Sequence, residues 1–211
     1  MIIRKIALWK WFPADDTFAT KMARLCILRE DFVFELQGAV ESQTIPMGDD
    51  YGDEWRLIYF FRKMNNTVEE IRSAIECLAQ DRKFKIFLKS QRDLVKIFKQ
   101  LKKNLNAAFK IIKNIRNDVG AHVQEVPVGS ALLNMSHERS GFFQISNYKP
   151  SKTHYKFTKE LIMAVMFRDI PDDQQLDKAQ EIIGLFINAI ENILSAIDSI
   201  FDAYARDRRL L

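Results

Sequence analysis

Two segments of this chain carry apolar residues at alternating steps of four and three, and that spacing leaves few folds open. In one, Leu94, Phe98, Leu101, Leu105, Ala108, Ile112, Ile115 and Val119 follow one another in this way. In the other, within residues 173–206, Leu176, Ala179, Ile183, Phe186, Ile190, Ile193, Ile197, Ile200 and Tyr204 do the same. A seam that recurs about every 3.5 residues stays on one side of an α-helix. Such seams bury themselves against one another, in bundles or coiled coils.

Two further segments share the helical period less strictly. Residues 15–41 place Phe18, Met22, Leu25, Phe32, Leu36 and Ala39 on one side. Residues 54–80 do so with Trp55, Ile58, Phe61, Met64, Val68, Ile71, Ile75 and Leu78. Thr67 and Glu70 have the spacing of a capping box that would split this last segment, but its stripe runs on through them. Between the two, "TIPMGDDYGDE" supplies Pro and Gly punctuation. With only seven glycines and five prolines, long regular elements are expected. The expected fold class is therefore all-α, an up-and-down helical bundle of four long helices within a single domain spanning residues 1–211. Residues 123–171 fit the pattern poorly and read as a less regular insertion. There "GFFQISNYKPSKTHYKFT" alternates weakly around a turn, as a small β-hairpin would, and "KELIMAVMF" fits a short helix or a buried strand equally.

A chain of 211 residues can bury enough surface to need neither disulfide nor metal. Cys26 and Cys77 have no second ligand at metal spacing, and two lone thiols point to a reducing compartment. The formal charge of +4, from 32 basic and 28 acidic residues, permits a polyanionic partner without requiring one. "MIIRKIALWKWFP" has charges within its short apolar run and lacks a small-residue cleavage site, so it makes a poor signal peptide. No run of about 20 uncharged apolar residues exists to span a bilayer. The expectation is a cytoplasmic protein with no membrane partner.

The stretch "KNIRNDVGAHV", residues 113–123, concentrates chemistry at the end of the clearest seam. On a helical wheel Arg116 lies roughly 40° from the axis set by Leu94 and Ile112, at the edge of the packed face. The lysines at 96, 99, 103 and 110 fall on the opposite side. An arginine turned toward a seam needs an anionic partner, a carboxylate or a phosphate. His122 would point roughly 240° away if the helix continued. A chain reversal at Gly120 would instead fold it back beside Arg116. Such a pair suits RNA cleavage without a metal. The imidazole, near its ordinary pKa, can take the 2′-hydroxyl proton, and the guanidinium can hold charge on the phosphorane. Asn117 could hold the phosphate or the imidazole. An alternative stays open: Arg and His near a helix C-terminus complement its dipole, and Gly is the usual stop.

Arg116-Asn117, then Asp118-Val119-Gly120-Ala121, then His122, at the end of a long helix in an all-α chain, resembles the HEPN superfamily. The resemblance implies a metal-independent endoribonuclease acting on RNA, with no cofactor. Arg116, Asn117 and His122 would form the catalytic site. It implies a homodimer in which two copies of the motif meet in one cleft, and a cognate antitoxin or regulatory protein. It also admits a non-catalytic member, serving as a protein-interaction or nucleotide-binding module. The motif covers seven residues, and the rest of the likeness is helical architecture alone.

Other candidates are weaker. His137 and His154 have no arginine at the matching upstream spacing and read as loop histidines. Asp49, Asp50, Asp53 and Glu54 surround Gly48 and Gly52, but match no calcium loop and fit an acid-rich helix start better. The lysine stripe and the terminal "ARDRRLL" fit solvated faces or an RNA backbone.

Overall fold

The computed structural model describes residues 7–44, 50–115, 124–135, 155, 157–167 and 170–208. Those residues are helical with short connections. In chain order the helices are α1 (Leu8–Trp11), α2 (Thr17–Thr44), α3 (Asp50–Gln80), α4 (Arg82–Ser90), α5 (Arg92–Ile115), α6 (Glu125–Asn134), α7 (Phe157–Met166) and α8 (Gln175–Asp207). A 3-10 turn, Asp172–Gln174, leads into α8. The all-α expectation holds, and α2, α3, α5 and α8 match the four periodic segments. α3 is unbroken through Thr67 and Glu70, as its stripe required. "KELIMAVMF" is helical, in α7. The hairpin was expected over residues 141–158; of these, 141–154 and 156 lie outside the described residues, while Phe157 and Thr158 open α7 and are helical, not strand.

One element was not anticipated. Asp81 and Gln91 interrupt the chain on either side of α4. The Asp81 side chain accepts hydrogen bonds from the backbone N–H groups of Lys83 and Phe84, at 2.9 and 3.2 Å. That is an N-cap, of the kind worth roughly 0.5–2 kcal/mol. At the other end the Ser90 hydroxyl donates to the Phe87 carbonyl at 2.7 Å. Phe84 and Phe87 are buried, while Ile86 between them is exposed.

The chain divides into two compact units. The first comprises residues 1–33, 67–110 and 187–211, and the second residues 34–66 and 111–186. In the first, aromatic rings crowd together. The Phe84 ring lies 5.0 Å from that of Phe98 and 5.7 Å from that of Phe18, and Phe18 meets Tyr204 edge-on at 5.3 Å. Trp11 stacks on Phe201 at 5.6 Å, and the buried Tyr204 hydroxyl donates to the Trp11 carbonyl. The seams supply the rest: Met22 and Leu25 of α2, Val68, Ile71, Ile75 and Leu78 of α3, Leu101 and Leu105 of α5, and Ile190, Ile193, Ile197 and Ile200 of α8 are buried.

In the second unit, Phe61 and Phe186 meet edge-on at 5.4 Å and both are buried. The Phe60 ring lies so close to Gly38 that a Cβ there would overlap it. α6 packs against α7. Pro127 stands in the first turn of α6, where a missing N–H costs nothing, and it is buried with Ala131. Ile162, Ala164, Val165 and Phe167 are buried on and just after α7. The buried Gln175 amide donates to the Ile170 carbonyl at 3.0 Å, tying the turn after α7 to the start of α8. Leu36, Trp55 and Ile183, placed on the seams by their spacing, are only partly covered.

Within α8, Glu181–Asp207 is long and apolar enough to cross a bilayer by length and composition, with a mean hydropathy of 1.4. The same composition is that of a helix packed in a core. Ile190, Ile193, Ile197 and Ile200 on one side of it are buried, and 28% of the apolar window is buried in all.

Candidate functional site

α5 leads directly to the sequence motif. It is a helix of 24 residues, and its seam is buried at Leu94, Phe98, Leu101, Leu105, Ala108 and Ile112. Lys96, Lys99, Lys103 and Lys110 are exposed on its other side, as their spacing predicted, and so is Lys113 in its last turn. Its last described residue is Ile115. Arg116, Asn117 and His122 lie outside the described residues, as do His137 and His154. Asp50, Asp53 and Glu54 open α3, the acid-rich helix start that their sequence suggested. Among the described residues no group of three or more His, Cys, Asp or Glu is placed to hold a metal ion.

In the first unit two helix starts are cross-linked by charge. Asp16 precedes α2, and its Oδ1 accepts from the backbone N–H of Phe18 at 3.1 Å. The same oxygen takes Lys83 Nζ of α4, also at 3.1 Å, while Oδ2 takes a hydrogen bond from Arg208. Asp81, the cap of α4, receives Lys21 Nζ of α2 at 2.7 Å and the Thr17 hydroxyl at 3.4 Å. Each capping carboxylate is thus paired with a lysine from the helix that the other one caps. Burial alone would raise the Asp16 carboxyl. Hydrogen bonds and charge from Arg208 and Lys83 outweigh it and hold the group below the usual carboxylate range. At Asp81 burial is likewise outweighed, by Lys21 and the backbone N–H groups of Phe84 and Lys83. Arg208 belongs to the "ARDRRLL" stretch, so that stretch is not wholly a solvated tail.

A cleft of about 290 Å³ opens elsewhere in this unit, lined by Phe12, Cys26, Arg29, Glu30, Ile197, Asp198 and Phe201. Arg29 Nε and Nη2 donate to the two Asp198 oxygens at 2.9 and 3.0 Å, a bidentate fork, and Nη1 donates to Glu30 at 2.7 Å. The bond to Asp198 raises the Arg29 pKa above its ordinary value, against the opposing effect of burial. Cys26 is free. Burial, and secondly the Glu30 charge, push its thiol up to about 12. A thiol held protonated in this way is a poor nucleophile at neutral pH.

The second unit holds a polar residue of another kind. Asn65 on α3 is 0% exposed, and among the described residues neither of its amide atoms has a hydrogen-bond partner. Arg29, Asp198, Asp16 and Asn65 were all missed by the sequence reading. Asp198 simply follows Ile197, and its partner is 169 residues away. Asp81 did carry a local signal, a capping residue just ahead of the amphipathic "RKFKIF".

Compared with known protein families, with curated proteins and with solved structures, the chain matches none.

Proposed function

We propose that this chain is a metal-independent endoribonuclease of the HEPN type, cutting RNA as a homodimer. The observation that carries this reading is the position of Arg116-Asn117-x4-His122 in the sequence. It begins immediately after Ile115, the last described residue of α5, and α5 has one buried seam and one lysine-bearing face. His122 takes the 2′-hydroxyl proton as that oxygen attacks phosphorus, and the 5′-oxygen leaves, taking up a proton from solvent. Arg116 balances charge on the phosphorane, and Asn117 positions the phosphate or the imidazole. The products are a 2′,3′-cyclic phosphate and a 5′-hydroxyl. In this reading α2, α3, α5 and α8 form an up-and-down bundle, and residues 123–171 are an insertion. The protein acts in the cytoplasm, and a cognate antitoxin or regulatory protein restrains it.

The test is cleavage of a mixed RNA pool by purified protein in excess EDTA, beside Arg116→Ala and His122→Ala. Cleavage that survives chelation, leaves cyclic phosphate ends and disappears in both folded variants supports the reading. Equal cleavage by the variants sinks it.

A second reading, a non-catalytic interaction module, is favoured by α6. Val126, Leu132 and Leu133 are 81%, 53% and 88% exposed there, leaving apolar surface available to a partner protein. An inert wild-type dimer in the RNA assay would move the choice to this reading.

A further inference from the structure

The cleft lined by Arg29 and Asp198 combines features that select one class of ligand. Its single guanidinium is already engaged on both edges by two carboxylates, leaving the triad with a net negative charge. An incoming anion would have to displace Asp198 from a bidentate fork. An incoming cation needs to displace nothing, because the Glu30 side chain is 71% exposed and keeps an oxygen available. Beside the triad stand two aromatic rings, Phe12 and Phe201, with centroids 6.3 Å apart, each stacked on one side by a further ring, Tyr204 and Trp11 respectively. Ring faces attract ammonium groups, most strongly where water is reduced. The remaining walls, Ile197 and the protonated Cys26, are neutral and apolar. At about 290 Å³ the space sits at the small end of ligand pockets, which run from roughly 300 to 1,000 Å³.

We propose that this cleft binds a small organic cation, an ammonium group carried on an apolar body about the size of one ring. The ammonium lies against Glu30 and the aromatic faces, and the body fills the space beside Ile197. Arg29 acts as a strut that holds Asp198 and Glu30 in place. The site stands apart from the ribonuclease reading, shares no residue with it, and can fail or hold independently.

The probes are phenethylamine, 2-phenylethanol and 3-phenylpropionate, which differ chiefly in the charge of the head group. Binding is followed by calorimetry, and its location by the NMR shift of the Ile197 methyl groups. The amine is expected to bind at least tenfold more tightly than the alcohol, with the acid weakest and the Ile197 methyls shifting on saturation. Glu30→Gln, at an exposed position that leaves the fold intact, should weaken the amine several-fold and leave the alcohol unchanged. Adding Asp198→Asn should reverse the order, so that the acid binds best. Equal affinity for amine and alcohol, preference for the acid in the wild type, no shift at Ile197, or an unchanged amine affinity in Glu30→Gln would each overturn the proposal.

Discussion

Asp16 and Asp81 in the first unit and Asn65 in the second are all taken largely out of water, yet they are served very differently. The two aspartate side chains, 12% and 6% exposed, each receive a lysine, together with one backbone N–H at Asp16 and two at Asp81. Asn65, wholly buried, has no hydrogen-bond partner among the described residues. The difference follows from charge. An unpaired buried carboxylate costs so much that it would protonate instead, whereas an unpaired amide costs roughly 1–3 kcal/mol and can be carried. The first unit is thus built by satisfying its polar groups around an aromatic core. The second tolerates an unsatisfied amide. Departures of that kind concentrate where something other than stability holds a residue in place.

The strongest way to break the contrast is at the aromatic core. Phe84→Ala in the first unit removes a fully buried ring that meets three others, and should cost about 3–5 kcal/mol in chemical denaturation. Asn65→Leu in the second should act in the opposite sense. It keeps the branched shape and removes both unpaired polar atoms, so a gain of about 1–3 kcal/mol is expected. A loss there would mean that Asn65 is already satisfied in solution. Gly38 offers a smaller and subtler test. Alanine inside a helix is favoured over glycine by about 1 kcal/mol, but its Cβ would overlap the Phe60 ring, at a cost of about 1–3 kcal/mol. Gly38→Ala should therefore be neutral to destabilising alone and stabilising by about 1 kcal/mol in a Phe60→Ala background. Equal effects in the two backgrounds would show that the ring does not rest there.

The smallest effect is the dependence on acid. Both Asp16 and Asp81 have folded pKa values below their unfolded ones. Their stabilisation is complete above the unfolded value of about 3.9 and is lost as pH falls through the depressed folded values. Asp16→Asn should flatten that acid limb and leave the slope between pH 5 and 7, on the order of one pH unit or more above it, unchanged. An acid limb that persists at full height would place the sensitivity at other carboxylates.

What could be read from the sequence was whatever repeats within a helix. The seams of α5 and α8 were plain because each buried residue announces the next three or four positions on. Wherever those seams are described they are buried, apart from the partly covered Ile183. The break at Asp81 was fainter, a single capping residue within a run of periodic ones. The pairings Arg29–Asp198 and Asp16–Arg208 were invisible, because they join residues 169 and 192 apart and leave no local pattern. The motif at Arg116 and His122 was legible as a spacing and lies outside the described residues, so its chemistry rests on that spacing.

The exchange of lysines between the starts of α2 and α4, closed by Arg208, joins positions 60, 67 and 192 apart along the chain. Contacts that close such long loops are the most expensive in chain entropy and come late on the folding route. Interactions absent from the transition state add little to the speed of folding and act mainly on the rate of escape from the native state. The two capped helix starts are therefore expected to work as a latch: Lys21→Met and Lys83→Met should speed unfolding more than they slow folding, and equal changes in the two rates would refute it.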